Sequence, residues 1–155
     1  MEWLIRSASE HDLKEILNLI RGLAAFEKAE DKVMLTEKQL LEDGFGVNPS
    51  YKAFVAEANG QILGFVLSFV RYSTWRGKIL YIEDLYIKEE FRGMRIGSGL
   101  FRRQMDYARE NQIQFLCFQV LDWNKKAIDF YKKFDVEYDA EWINGLITIP
   151  PTSVS

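Results

Sequence analysis

Tyr81-Ile82-Glu83-Asp84-Leu85-Tyr86-Ile87, followed by Glu89-Glu90-Phe91-Arg92-Gly93-Met94-Arg95-Ile96-Gly97-Ser98-Gly99, is the stretch that decides how this chain folds. An apolar strand pattern runs into a glycine-containing turn and then into a helical segment reaching about Asn111. The first amides of a helix have no carbonyl one turn back, so they converge unpaired on one spot, where the helix dipole also favours an anion. A pyrophosphate fits such a spot. Arg92, Arg95, Arg102 and Arg103 gather there, the charge sign a phosphate ligand wants. A solvated basic helix face is the competing reading, since short glycine patterns are weak motifs. The turn lacks both the G-x-x-x-x-G-K-[ST] of a P-loop and the G-x-G-x-x-G of a dinucleotide fold, which disfavours a kinase or a dehydrogenase.

Upstream, Lys78 to Ile87 reads as one strand, and Tyr51 to Glu57 and Gln61 to Tyr72 as two more joined by Asn59-Gly60. Asn-Gly readily takes the positive φ of a two-residue hairpin. Trp3 to Arg6 is a short first strand. Ser9 with Asp12 resembles a capping box opening a helix whose Leu13, Ile16, Leu17, Ile20, Leu23 and Ala24 form one apolar face. Thr36 with Gln39 opens a second helix ending near Gly44, and the acid-rich Glu27 to Asp31 connects the two on the surface. Downstream come a strand at Phe115 to Leu121, a helix over Asn124 to Phe134, and a last strand at Trp142 to Thr148 before Pro150-Pro151. The order implies one mixed sheet with helices on both faces, of α/β or α+β class.

The chain has 155 residues, 48% of them hydrophobic, which suits one buried core, so residues 1–155 are expected to form a single domain. No apolar run reaches the roughly 18 to 20 residues of a bilayer span, and Met1-Glu2-Trp3-Leu4 opens without a basic, apolar leader, so a cytoplasmic location is expected. One cysteine and one histidine cannot build a zinc cluster of ordinary spacing, and no metal is expected. A net charge of -3 argues against a general nucleic-acid binder and suits a cationic small molecule.

Arg92-Gly93-Met94-Arg95-Ile96-Gly97 after a strand, together with Trp123-Asn124 leading into Phe130-Tyr131-Lys132-Lys133, resembles the GNAT superfamily of N-acetyltransferases. Leu40-Leu41-Glu42-Asp43-Gly44-Phe45-Gly46, Tyr72-Ser73-Thr74-Trp75, Tyr81-Ile82-Glu83-Asp84 and Leu121-Asp122-Trp123-Asn124 narrow the resemblance to the diamine (spermidine/spermine) acetyltransferases and their thialysine acetyltransferase relatives. The second and fourth of these blocks look closer to the thialysine branch. The resemblance covers nearly the whole chain. It implies a mostly antiparallel mixed sheet whose two central parallel strands, Ile82 to Ile87 and Phe115 to Leu121, splay apart around acetyl-CoA. The pyrophosphate would sit on the amides of Arg92, Gly93, Met94, Arg95, Ile96, Gly97 and Ser98. The pantetheine arm would pair with the Leu85-Tyr86-Ile87 backbone, through Leu85 and Ile87, and with the Asn124 side chain. Two positions depart from the family pattern: Arg95 replaces a glycine although non-glycine residues tolerate positive φ poorly, and Asp135 stands where a helix-closing glycine is common.

Acetyl transfer to an amine requires a neutral amine, a stabilised oxyanion and a protonated leaving thiolate. His11 and Cys117 fall in unrelated elements, so direct attack by the bound amine is favoured over a covalent acyl-enzyme. The resemblance puts Tyr131 at the thioester as the acid; without it, Tyr131 reads as a core aromatic. Glu83 is the candidate base acting through water, with a salt-bridged strand carboxylate as the alternative. Asp84 and Glu27, with Trp75, are the candidate substrate end, because carboxylates attract an ammonium and an indole face stacks on it. A solvated acidic loop is the plain alternative for Glu27. The function expected is acetyl transfer to a primary amine of a thialysine-like amino acid or a polyamine, in one ternary complex. The alternatives are a non-catalytic CoA-binding or protein-interaction module, a polyamine-specific enzyme, and an acetyltransferase of protein lysines or N-termini. A homodimer is expected, with Tyr138 and Trp142 as compatible surface aromatics.

Overall fold

The computed structural model describes residues 1–152, which fall into two compact units, Met1–Gln119 and the segment from Val120 onward. In the first unit, Asn59 and Gly60 take φ of 52° and 75°, the left-handed pair a two-residue hairpin requires. They join β2 (Lys52–Ala58) to β3 (Gln61–Ser73). With β1 (Leu4–Ser7) and β4 (Gly77–Ile87) these make antiparallel neighbours in chain order, and β5 (Phe115–Phe118) adds parallel to β4. The described sheet therefore has five strands, and β5 lies at its edge.

Adjacent residues on β2 show how the sheet is covered, because neighbours on a strand face opposite sides. Val55 packs with Phe65 against Leu13, Ile16, Leu17 and Leu19 of α1 (Leu13–Phe26) and Leu40 of α2 (Glu37–Phe45). Phe54, one residue back, meets Tyr107 of α3 (Ile96–Glu110) edge-on at 5.7 Å. Helices thus cover both faces. Phe54, Val55 and Phe65 are fully buried, and burying side chains of this size contributes about 1.5–3 kcal/mol each. Both capping boxes form. Thr36 N–H donates to Gln39 Oε1 at 3.0 Å while Gln39 N–H donates to Thr36 Oγ1 at 3.2 Å. Ser9 N–H donates to Asp12 Oδ2 at 2.7 Å, and the Arg6 guanidinium forks onto the same carboxylate at 2.7 and 2.9 Å, holding its pKa below the usual range.

The second unit contains α4 (Lys125–Tyr131), continued by one tight turn over Lys132–Phe134 and closed by Asp135 at φ 54°. Aspartate thus takes the left-handed closing position itself. The strand expected at Trp142 to Thr148 does not form, and β5 ends at Phe118 rather than Leu121. A strand exists only as one side of a ladder. Here the alternating pattern is present but the segment forms no strand among the described residues, and Ile143 and Leu146 are each 95% exposed.

Candidate functional site

The central feature of the first unit is the second half of β4. β4 pairs with β5 from Ile79↔Phe115 to Ile82↔Phe118 and then continues alone to Ile87. On its other side, Leu67 pairs with Asp84 but Ser68 with Ile82, so Glu83 is an extra residue, a β-bulge where the two parallel strands part. Beyond it the main chain has one free edge. Lys88 N–H donates to Leu63 O on β3 at 2.9 Å, and main-chain polar groups alternate between edges residue by residue, so Leu85 and Ile87 face the side β5 has left. The Leu85 amide and carbonyl and the Ile87 amide can pair with an extended, amide-containing ligand as a missing strand would, while the Ile87 carbonyl accepts from Arg92 Nε.

That edge leads into the Arg92–Gly97 turn. Gly93 has φ 82° and Arg95 φ 64°, and helix α3 begins immediately after, at Ile96. Left-handed residues in such a turn can aim neighbouring N–H groups toward one centre, and the first α3 amides add to them. Donors of this kind suit a diphosphate. Arg95 therefore occupies the strained conformation its position demands, at a cost of about 1 kcal/mol relative to glycine. Its side chain is exposed. The Arg92 guanidinium points elsewhere: Nε donates to Ile87 O at 3.1 Å, and the group lies over the Tyr86 and Phe26 rings at 5.5 and 5.6 Å. It clamps the end of β4 to α1. Trp3, which no local pattern singles out, donates from Nε1 to Met94 O at 3.1 Å across 91 positions of sequence.

At the bulge end the site is acidic. Burial, with Glu83 and Glu27 adding like charge, pushes the Asp84 carboxyl up to about 7. Burial also raises Glu27, which caps the end of α1. Glu83 is exposed. The structure thus brings Glu27 and Asp84 into one electrostatic neighbourhood. It does not bring Trp75 there. Trp75 is 82% exposed in the β3–β4 turn, and the extended run from Gly77 to Asp84 spans about 23 Å at about 3.3 Å per residue. No group of His, Cys, Asp and Glu among the described residues could hold a metal ion.

In the second unit, Asn124 caps α4, its Oδ1 accepting from Ala127 N–H at 3.3 Å. Its amide nitrogen carries two donors. Tyr131 is buried, 8% exposed, with Phe130 edge-on at 5.0 Å. Burial raises its phenol far above the ordinary tyrosine value, so it stays protonated at any physiological pH.

A parted parallel strand pair that feeds a glycine turn and a helix start offers a main-chain edge and helix-start amides, groups that suit an extended phosphate-bearing ligand. The family model for the acetyltransferase (GNAT) family matches residues 11–135, and the chain belongs to that family. It is 43% identical over 137 residues to a thialysine N-epsilon-acetyltransferase of Bos taurus, covering 83% of this chain and 81% of that protein. It is also 38% identical over 134 residues to a human spermidine/spermine N(1)-acetyltransferase-like protein 1, covering 82% of this chain and 19% of that longer protein. Among solved structures, an aminoglycoside acetyltransferase from an uncultured soil metagenomic sample superposes with a TM-score of 0.77 over 96% of this chain and 97% of that one. At 20% identity that likeness speaks for the fold alone. The protein is an N-acetyltransferase. No helix among the described residues is long and apolar enough to cross a membrane.

Proposed function

We propose that residues 1–155 form a single N-acetyltransferase domain that transfers acetyl from acetyl-CoA to a primary amine of a small cationic substrate, a thialysine-like amino acid or a polyamine. The observation that carries this reading is the free edge of β4 beyond Ile82, continuous with the turn at Gly93 to Gly97. Bound acetyl-CoA supplies the activated thioester. The chain's part is to seat it: Leu85 and Ile87 hold the pantetheine amides, with the Tyr86 peptide between them, and the Asn124 side chain joins that contact as the family resemblance implies. The amides from Gly93 to Ser98 hold the diphosphate. Arg92 is engaged at both ends, its N–H donating to Glu89 O at 3.2 Å and its Nε to Ile87 O at 3.1 Å, and so shapes the turn.

Asp84 and Glu27 draw in the ammonium. A carboxyl near 7 is poised to take its proton, and inside a half-buried pair that transfer removes two charges from a poorly solvated site. Glu83, exposed on the bulge, passes the proton to water. Replacing Glu83 by Gln should therefore lower kcat less than tenfold and leave the acidic limb of the pH–rate profile in place. Loss of that limb would make Glu83 the primary base. The neutral amine attacks the thioester carbonyl directly, donors on the free edge of β4 stabilise the oxyanion, Tyr131 gives its proton to the sulfur as the C–S bond breaks, and the proton released by the attacking nitrogen restores the phenol.

The thialysine reading draws on the relatives' names and on the paired carboxylates, which suit a short diamine-like cation. Thiol release measured side by side with thialysine, lysine, spermidine and putrescine tests it. Turnover should be fastest with thialysine. Coenzyme binding without release for any amine would favour the non-catalytic module instead. We place the enzyme in the cytoplasm as a homodimer. The support for a second copy is the exposed apolar segment holding Trp142, Ile143, Leu146 and Ile147. Light scattering should give twice the monomer mass, and a monomer would remove the dimer from the proposal.

A further inference from the structure

The turn that presents amides to the diphosphate contains a residue with a route out of its own strain. Arg95 sits at φ 64°, where a side chain is disfavoured. It can relax to negative φ by a flip of the Met94–Arg95 peptide, which rotates that plane with little displacement of its neighbours. The flip would reverse the group that faces the ligand. In a trans peptide the carbonyl and the following N–H point in opposite directions, so turning the plane replaces the Arg95 N–H by the Met94 carbonyl and sets a partial negative charge against an anion. Something must hold the unflipped state.

We propose that Trp3 is a positioning residue for the coenzyme site: its indole N–H pins the Met94 carbonyl and thereby keeps the Arg95 amide aimed at the diphosphate. The hydrogen bond from Nε1 to Met94 O is 3.1 Å long and half-buried. The ring itself has little freedom. A Cβ built on Gly99 would lie 2.8 Å from Trp3 Cη2 and 2.9 Å from Ile5 Cδ1, so the first turn of α3 is laid directly on the indole, and only glycine at 99 permits it. Ring placement by Gly99 and hydrogen bonding at Met94 are separate observations that fix one side chain at two points. Trp3 and Arg95 form a functional pair, because a residue that gains nothing from the flip would not need the pin.

The inference rests on the acetyl-CoA reading, and the experiment separates the two. CoA dissociation constants are measured by calorimetry for the parent, Trp3→Phe, Arg95→Gly and the double variant, with kcat, KM and Tm alongside. Phenylalanine keeps the ring and deletes the donor. Trp3→Phe should weaken CoA binding about tenfold, the scale of one hydrogen bond, and raise KM for acetyl-CoA equally with kcat within twofold. In the Arg95→Gly background the same change should cost less than twofold, since glycine accepts positive φ freely. A parent that binds no CoA overturns the functional reading. A parent that binds CoA while Trp3→Phe binds equally well, or loses the same factor in both backgrounds, overturns the role of Trp3 alone. Should Trp3→Phe fail to fold, the parent is followed by NMR: slow exchange of the Trp3 indole N–H and a CoA-induced downfield shift of the Arg95 amide support the role. Exchange at the solvent rate, or an unmoved amide, contradicts it.

Discussion

Asp84→Asn should lower kcat/KM for the amine at least a hundredfold at pH 8 and abolish the acidic limb of the rate profile. The carboxyl stands near 7 because it is buried and shares its surroundings with Glu83 and Glu27. A general base matched to the working pH contributes about 10²–10⁴-fold, and asparagine cannot accept the proton. In the parent enzyme, kcat/KM should rise with pH through about 7 and then level off. The same substitution has an opposite effect on stability. The native Asp84 carboxyl titrates about 7 against an ordinary value of 3.8, so between those limits the folded state holds a proton that the unfolded chain has released. Stability from this group is therefore present at low pH and falls as pH rises toward 7. A carboxamide at this position carries no such dependence. The variant should be more stable than the parent at pH 8, by about 2–4 kcal/mol, and should lose that advantage near pH 4. Paired melting curves at the two pH values check the sign. An active variant with an unchanged profile would remove Asp84 from the chemistry.

Tyr131→Phe should lower kcat about a hundredfold while CoA binding stays within twofold. The phenol's role is assigned from the resemblance. Its burial adds a physical consequence: the group is held protonated well above the ordinary tyrosine range, so it always has a hydrogen to offer to a sulfur developing charge. Phenylalanine keeps the ring against Phe130 and removes only that donor. The parent should accordingly show no loss of activity from phenol ionisation up to about pH 10, since the group's own titration lies higher. Single-turnover acetyl transfer, measured with saturating coenzyme, isolates the step. A kcat within threefold of the parent would leave Tyr131 as a core aromatic.

What could be read from sequence was local. Asn59-Gly60 and Thr36 with Gln39 declare their conformations within four residues, because positive φ and a reciprocal cap are decided by the residues themselves. The strand, turn and helix over Tyr81 to Asn111 was legible for the same reason. Features that depend on a distant partner were not. The bulge at Glu83 arises from register against β3, and no property of Glu83 announces it. Trp3 serves Met94 from 91 positions away. The sequence suggested Trp75 as a neighbour of Asp84, but an extended strand turns seven positions into about 23 Å. Trp142 to Thr148 has the alternation of a strand, yet alternation specifies a face and not a partner. Arg92 was read as part of the phosphate site by charge and by its amide, whereas its side chain is taken by Ile87 O and two rings and its N–H by Glu89 O.

A crystal structure with bound CoA tests the central claim most directly. The account requires the diphosphate on the amides between Gly93 and Gly97, and the pantetheine running as an added strand along Leu85 and Ile87. Coenzyme bound elsewhere, or a β4 edge closed by protein in its presence, would contradict it.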